Sequence, residues 1–393
     1  MNTSQLSEDD RDEFEFVQEF LVVSASGMVL LSFIAFVINA YLLICSQYLR
    51  RPIGVNLRLC VSLTACDALC AICYILTMII NIFFNSMSDC LSLLLEVFKM
   101  SMFASSALTL VCLALNHYVG IVYPLHRSAI TPSFVRWSII ISYLCPFTMY
   151  LFVFIAVPGG LRQPVAFDFF SSAGCRSPQI YTNGVFRWAV VFPFILLVIF
   201  LSFLYIHIMI HMRQISRDPL LKTNTKSKKK NRKLLVTLML LAGSACIGWI
   251  PTSLNFVIMS NVPVSTKVRM YFGVVAQTLH VSKLIVDAFI YASRLVEVRY
   301  AMWMLNRSVC RYAAGLCGAK NETEDRVPNQ FTRYLSETKE NRSVRSKRVK
   351  SQFKPETRRL VANRSGSEKT RRSTSRTQNA HRVLNQANSI PTL

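Results

Sequence analysis

The sequence predicts an all-α membrane protein: a seven-transmembrane helix bundle, then a short amphipathic surface helix and a disordered tail. Three observations predict it. Apolar residues make up 52% of the 393 positions. They gather in seven long runs, each able to cross a hydrocarbon core of ~30 Å, which takes ~20 helical residues. Basic residues gather in alternate connections between those runs.

An acidic segment, residues 1–20, comes first. In it Glu8, Asp9, Asp10, Asp12, Glu13, Glu15 and Glu19 outweigh Arg11. The seven runs follow at Leu21–Gln47, Ile53–Phe84, Leu91–Tyr123, Val135–Val157, Val185–His211, Leu234–Met259 and Val268–Ser293, a helical domain over 21–294. They read as helices because barrel strands are shorter and alternate. Several exceed the minimum length, so tilt or extension past the bilayer is expected. Next, Leu295-Val296-Glu297-Val298-Arg299-Tyr300-Ala301-Met302-Trp303 mixes apolar and charged faces at helical spacing. It predicts a membrane-surface helix over 295–310. The remainder, 311–393, is rich in Arg, Lys, Ser and Thr without apolar periodicity, a composition that cannot bury enough surface to order itself.

Charge gives the orientation. The connection between runs five and six holds Arg213, Arg217, Lys222, Lys226, Lys228, Lys229, Lys230, Arg232 and Lys233 against Asp218. Arg50 and Arg51 mark the first connection, Arg127 and Arg136 the third. The positive-inside rule puts these in the cytosol with the C-terminal tail, and the N-terminus outside. The location expected is the plasma membrane. No cleavable leader is expected, because the acidic start lacks a basic n-region. A net charge of +23 invites a nucleic-acid reading. We exclude it, because the charge is concentrated where it faces the anionic inner leaflet, making membrane lipids the expected partner. The six histidines are scattered, with no metal spacing or phosphate loop, so no catalytic site, metal or cofactor is expected.

The third run ends in Asn116-His117-Tyr118-Val119-Gly120-Ile121-Val122-Tyr123-Pro124-Leu125. This resembles the cytosolic end of the third helix in rhodopsin-like G-protein-coupled receptors, usually acid-Arg-Tyr followed by Ile and Pro-Leu. Tyr118, Ile121, Pro124 and Leu125 fit. Asn116 replaces the acid and His117 the arginine, making this an atypical member. Gly248-Trp249-Ile250-Pro251 resembles the family's Cys-Trp-x-Pro, and Asp287-Ala288-Phe289-Ile290-Tyr291 its Asn-Pro-x-x-Tyr. Ala245 stands where the family has an aromatic residue. Leu63 and Asp67 fit the second-helix pattern, and Pro193 and Tyr205 the fifth. The usual fourth-helix tryptophan is missing. The likeness covers roughly Leu21 to Cys310.

The resemblance implies a disulfide from Cys90 to Cys175, the two cysteines on the outer side. The spacing of 27 from Cys90 to His117 is two longer than usual, so the outer end of that helix is expected to shift. The other cysteines of the spans read as small packing residues. Asn2-Thr3-Ser4 is the one outer glycosylation sequon. Cys310 and Cys317 follow the surface helix and fit juxtamembrane palmitoylation; unmodified thiols are the equal alternative.

Ionisable residues inside a bilayer are costly and mark function. Counted from the cytosolic end of each helix, Asn39, Asp67, Ser106 and Lys283 all lie at ~17 Å, near mid-membrane. Asp287 lies one turn below Lys283. The resemblance places Asp67 and Ser106 at a sodium pocket. We expect the Lys283 ammonium to replace sodium, bridging Asp67 and Asp287. The alternative is that Lys283 faces elsewhere, and Asp67 binds sodium or is protonated.

Lys99 lies ~27 Å outward of His117 along its helix, where amine receptors carry an aspartate. It could bind a ligand acid, or pair with Glu96 at i, i+3; the two readings are even. Arg187, Trp249 and His280 complete the candidate ligand site. The acidic N-terminus could steer a basic peptide. A peptide, as in neuropeptide receptors, is the first expectation and a lipid or small acid the second.

The function expected is a receptor that activates a heterotrimeric G protein as the sixth helix swings about Pro251. Asn116, His117, Tyr118, Tyr205, Lys233, Trp249, Pro251 and Tyr291 carry switching and coupling by resemblance. An imidazole with a reference pKa of about 6.5 is mostly neutral in the cytosol, so the resting lock should be weak. Arg371-Arg372-Ser373-Thr374-Ser375 suits basophilic kinases and then arrestin-type partners, or simply lipid contact. The alternatives are an ion-coupled transporter using Asp67, Lys283 and Asp287, and a non-signalling decoy receptor.

Overall fold

In hydrocarbon every backbone N–H and C=O must be satisfied within the protein, which an α-helix does within one segment. The computed structural model describes residues 8–83, 89–157, 161, 183–217, 225–261, 265–316, 327–332 and 334–336. The chain divides into two units, Met1–Thr323 and Glu324–Leu393. In the second, the described residues from 329 onward are helical.

The first unit holds α1 (Glu8–Ser46), α2 (Val55–Phe83), α3 (Asp89–Val122), α4 (Pro132–Ala156), α5 (Gly184–Arg217), α6 (Thr225–Asn261), α7 (Thr266–Arg294) and α8 (Val296–Leu316). A 3-10 turn, Pro124–Ala129, follows α3. Helices α1 to α7 are each long and apolar enough to cross a membrane. The expectation of an all-α, seven-span bundle holds.

Several helices outrun their apolar cores. Helix α1 starts at Glu8, inside the acidic segment, α6 starts at Thr225, inside the basic connection, and α8 runs to Leu316. Once a helix is nucleated each added residue gains a backbone bond, and Glu, Lys, Arg and Gln are good helix formers. Starts are set locally. The Thr131 hydroxyl accepts from the Phe134 N–H at 3.2 Å with Pro132 in the first turn of α4. The Asn183 side chain accepts from the N–H groups of Val185 and Phe186 at the start of α5.

The spans close into a ring. Helix α1 packs on α2 and α7, α2 on α3, α3 on α4 and α5, α5 on α6, and α6 on α7. Helix α3 is the central strut: 67% of its most apolar window is buried, against 17% in α1 and 22% in α4. Leu63, Leu93, Leu110, Leu113 and Phe154 are fully buried in the interior, while Phe33, Ile44, Phe152, Phe203 and Phe289 point outward. Helices apolar on both faces belong in lipid. Cys60, Cys66 and Cys70 are buried, as small packing residues should be, whereas Cys145 is exposed on α4.

Helix α8 is amphipathic. Ala301 and Leu305 pack on Cys45 and Leu49 of the first helix and its connection. The Tyr41 hydroxyl donates to Asn306 Oδ1 at 2.8 Å, and the Arg50 guanidinium lies 5.7 Å over the Tyr300 ring. Cys310 is exposed on α8; Cys317 and Asn2 lie outside the described residues.

Candidate functional site: a buried ionic centre at the α6 kink

Midway through the bundle, four helices bring charge together. Lys283 is one turn before Asp287 on α7, so both face one way. The Lys283 ammonium lies 2.9 Å from Asp287 Oδ2 and 3.3 Å from Asp67 Oδ1 of α2, with side-chain exposures of 0–1% for all three. It also donates to Ser106 Oγ of α3 at 2.9 Å. Ser106 in turn donates to Asp67 Oδ1 at 3.0 Å. Ser244 of α6 donates to Asp287 Oδ1 at 2.5 Å. One ammonium thus faces two carboxylates and the Ser106 hydroxyl, and the Ser244 hydroxyl supports one of those carboxylates, all buried.

The sequence-expected partners of Lys283 are therefore in contact with it. Asn39 differs. Its amide donates to Ala35 O and, across to α7, to Leu284 O at 3.1 Å. It clamps the backbone beside Lys283 instead of joining the charges. Among the described residues, Asn39 Oδ1 and Asp67 Oδ2, both buried, have no hydrogen-bond partner.

Two residues outside the expected set complete the centre. Ser244 ties α6 to Asp287. Gly248, one turn later on the same face, makes room for the lysine: a Cβ there would lie 3.0 Å from Lys283 Cβ and 3.1 Å from Cγ. Their spacing of four, aimed at a seventh helix bearing Lys283 and Asp287, was the available signal.

Trp249 is 1% exposed. Its ring lies 5.6 Å from the Lys283 ammonium, within cation–π range, and 6.0 Å edge-on to Phe103. Pro251 is inside α6 two residues later. A proline removes a helix hydrogen bond and kinks the helix, so the indole sits between the ionic centre and the hinge.

Above the centre lies an aromatic layer. His280 is buried, with Phe103 at 4.2 Å, Tyr74 at 5.7 Å and Cys70 Sγ 3.8 Å from its Nε2. Lys99 pairs with Glu96 on α3 and lies 5.1 Å over the Tyr74 ring. The i, i+3 pairing is thus formed, and Tyr74 joins it. Arg187 is half-buried in the first turn of α5. Cys90 is disulfide-bonded; Cys175 lies outside the described residues.

At the opposite end, the Asn116 amide donates to Asn56 of α2. His117 is buried, its Nδ1 2.7 Å from Leu113 O on its own helix. The Tyr118 ring lies 5.4 Å from His207 of α5, tilted by 45°. Tyr205 and Tyr291 are buried, and their hydroxyls have no partner among the described residues. Lys233 falls on α6, with its side chain outside the described set.

Seven helices long and apolar enough to cross a membrane, packed around a buried ionic centre, define a multi-pass membrane protein. Residues 36–291 match the family of seven-transmembrane receptors of the rhodopsin family. That span covers most of the bundle, and the chain belongs to this family. It is a multi-pass receptor of the plasma membrane with a signalling role, and its family's partners are an extracellular ligand and a G protein. No curated protein sequence matches the chain.

Proposed function

We propose that this chain is a ligand-operated receptor whose G-protein coupling is gated by a tethered cation. The observation that carries the proposal is Lys283 lodged between Asp67 and Asp287, beside Trp249 and the Pro251 kink. In the family a sodium ion belongs next to the residue matching Asp67. Here the ammonium takes that role and cannot leave. Ion exchange is then replaced by movement of α7 against α2, α3 and α6.

The acidic N-terminus faces outward, and the basic connections and the tail face the cytosol, in keeping with the positive-inside rule. The ligand enters at the Glu96–Lys99 end. A ligand offering only an acid would take Lys99 and strand Glu96, a buried carboxylate, and removing one partner of a buried pair costs ~3–5 kcal/mol. A ligand bringing both charges re-pairs both residues. A peptide does this readily, which favours it over a lipid or a simple acid. Binding shifts the bundle between two packings: α6 swings about Pro251, and His117, Tyr118, Tyr205, Lys233 and Tyr291 meet the G protein. Because Asn116 is tied to Asn56 and His117 to its own helix, the resting state lacks the usual acid–arginine lock.

Tail phosphorylation around Ser373 and arrestin docking, palmitoylation at Cys310 and Cys317, a Cys90–Cys175 bridge and glycosylation at Asn2 belong to the same reading. The test is a peptide and lipid library applied to cells carrying the receptor, with several G-protein readouts and a binding assay. A peptide hit that activates a G protein is expected. Binding without any G-protein response would overturn the coupling and leave a decoy receptor.

A further inference from the structure

A stripe of small residues on α6 faces α7. Ser244, Gly248 and Thr252 are spaced by four and so share one face. Ser244 bonds Asp287 at 2.5 Å, Gly248 closes on the Lys283 stem, and the Thr252 hydroxyl, which donates to Gly248 O at 3.1 Å, lies 3.4 Å from Ala276 O of α7. Further along, the roles reverse: a Cβ at Gly273 of α7 would lie 3.9 Å from the Asn255 amide of α6. Small residues let helices approach closely in a membrane, and serine and threonine hydroxyls then bond across.

Pro251 divides this stripe. The Ser244 and Gly248 contacts lie on the side of the kink that leads to the basic end of α6. Those two contacts therefore hold the half of α6 that must swing. Ser244 holds it through Asp287, and Gly248 holds it by steric fit to the lysine that Asp287 itself binds.

We infer that the Gly248 notch and the Lys283 stem form a latch, which holds α6 on α7 and must open before α6 swings. The inference rests on the receptor reading above and names its regulation. The notch is a matched fit: an added methyl at position 248 would lie 3.0 Å from Lys283 Cβ, so the lysine stem must give by a few tenths of an ångström. The Ser244–Asp287 bond then lengthens, and the ammonium draws away from the Trp249 ring. Glycine at 248 is thus coupled to lysine at 283, and each makes sense of the other's departure from the family pattern.

The experiment is a double-mutant cycle read by α6 position. Spin labels are placed at Lys233→Cys on α6 and Arg136→Cys on α4, in purified receptor lacking the exposed Cys145 and Cys310. Pulsed electron resonance gives the distance distribution without ligand or G protein. Gly248→Ala should move the balance toward the longer distance by at least about fivefold, as expected for an overpacked interior. In a Lys283→Ala background, where the stem is gone, Gly248→Ala should shift it little, because contacting residues are non-additive. No shift from Gly248→Ala, or an equal shift in both backgrounds, would overturn the latch. Ligand-independent G-protein activation is measured on the same substitutions at positions 248 and 283 in unlabelled receptor with Lys233 and Arg136 intact. A moved helix with silent signalling overturns the coupling proposal and leaves the latch standing. If Gly248→Ala does not fold, the same substitution in the Lys283→Ala background is compared with Lys283→Ala alone: an equal yield of folded receptor supports the latch, and a further loss of yield relative to Lys283→Ala overturns it.

Discussion

Replacing Lys283 by methionine keeps an unbranched stem against Gly248 and removes the ammonium. At an effective dielectric of ~20, unit charges 2.9 and 3.3 Å apart attract by about 6 and about 5 kcal/mol. Desolvating the ammonium offsets several kcal/mol of that sum. Removing one member of such a buried group costs ~3–5 kcal/mol, or roughly two to four orders of magnitude in an equilibrium constant. Asp67 and Asp287 are then left without a buried cation. In the methionine variant the vacancy should accept sodium, and wild type should not. The assay is thermal unfolding of purified receptor in sodium chloride against choline chloride at equal ionic strength. Wild type should unfold at the same temperature in both. The variant should be destabilised in choline and recover with sodium, by ~2.7 kcal/mol at a hundredfold excess over Kd. A wild type stabilised by sodium as strongly as the variant would refute the tethered cation. So would a variant as stable as wild type in choline.

Other outcomes follow from the same contacts. Ser244→Ala removes a hydrogen bond to a charged carboxylate, worth ~1.5–3 kcal/mol; the unfolding temperature should fall and ligand-independent signalling should rise, read per receptor at the cell surface. Glu96→Gln releases Lys99 from its buried partner; among library peptides, acidic ones should gain affinity and those presenting a base should lose it, in a competition assay. His117→Arg, combined with Asn116→Asp, supplies the acid–arginine pair that the chain lacks. The ligand-induced G-protein response should increase, and an unchanged dose–response curve would show that coupling is not limited there.

Much of the fold could be read from the chain because its determinants are local. Seven apolar runs report seven helices through length alone, and the structure has them. Their ends were less legible: Glu8–Glu13 and Thr225–Lys233 are polar, and helix propagation carries α1 and α6 through them without any hydrophobic signal. The depth count put Asp67, Ser106 and Lys283 at one level, because rise per residue is constant in a helix. It also put Asn39 there. Equal depth does not set rotation, and Asn39 turns to the backbone of α7 instead of to the charges.

The chain alone established an all-helical membrane protein, its seven spans, the charge bias of its connections and a layer of buried ionisable groups. Each of these depends on composition or on periodicity within one helix. Only the tertiary structure decided that Lys283 reaches Asp67, 216 positions away, that Ser244 holds Asp287, that Asn116 turns to Asn56, and that Gly248 is the space the lysine fills. Those contacts depend on how neighbouring helices rotate and how closely they approach. A helix's own sequence does not specify either, because every packed face is shared with a partner whose side chains fix the fit.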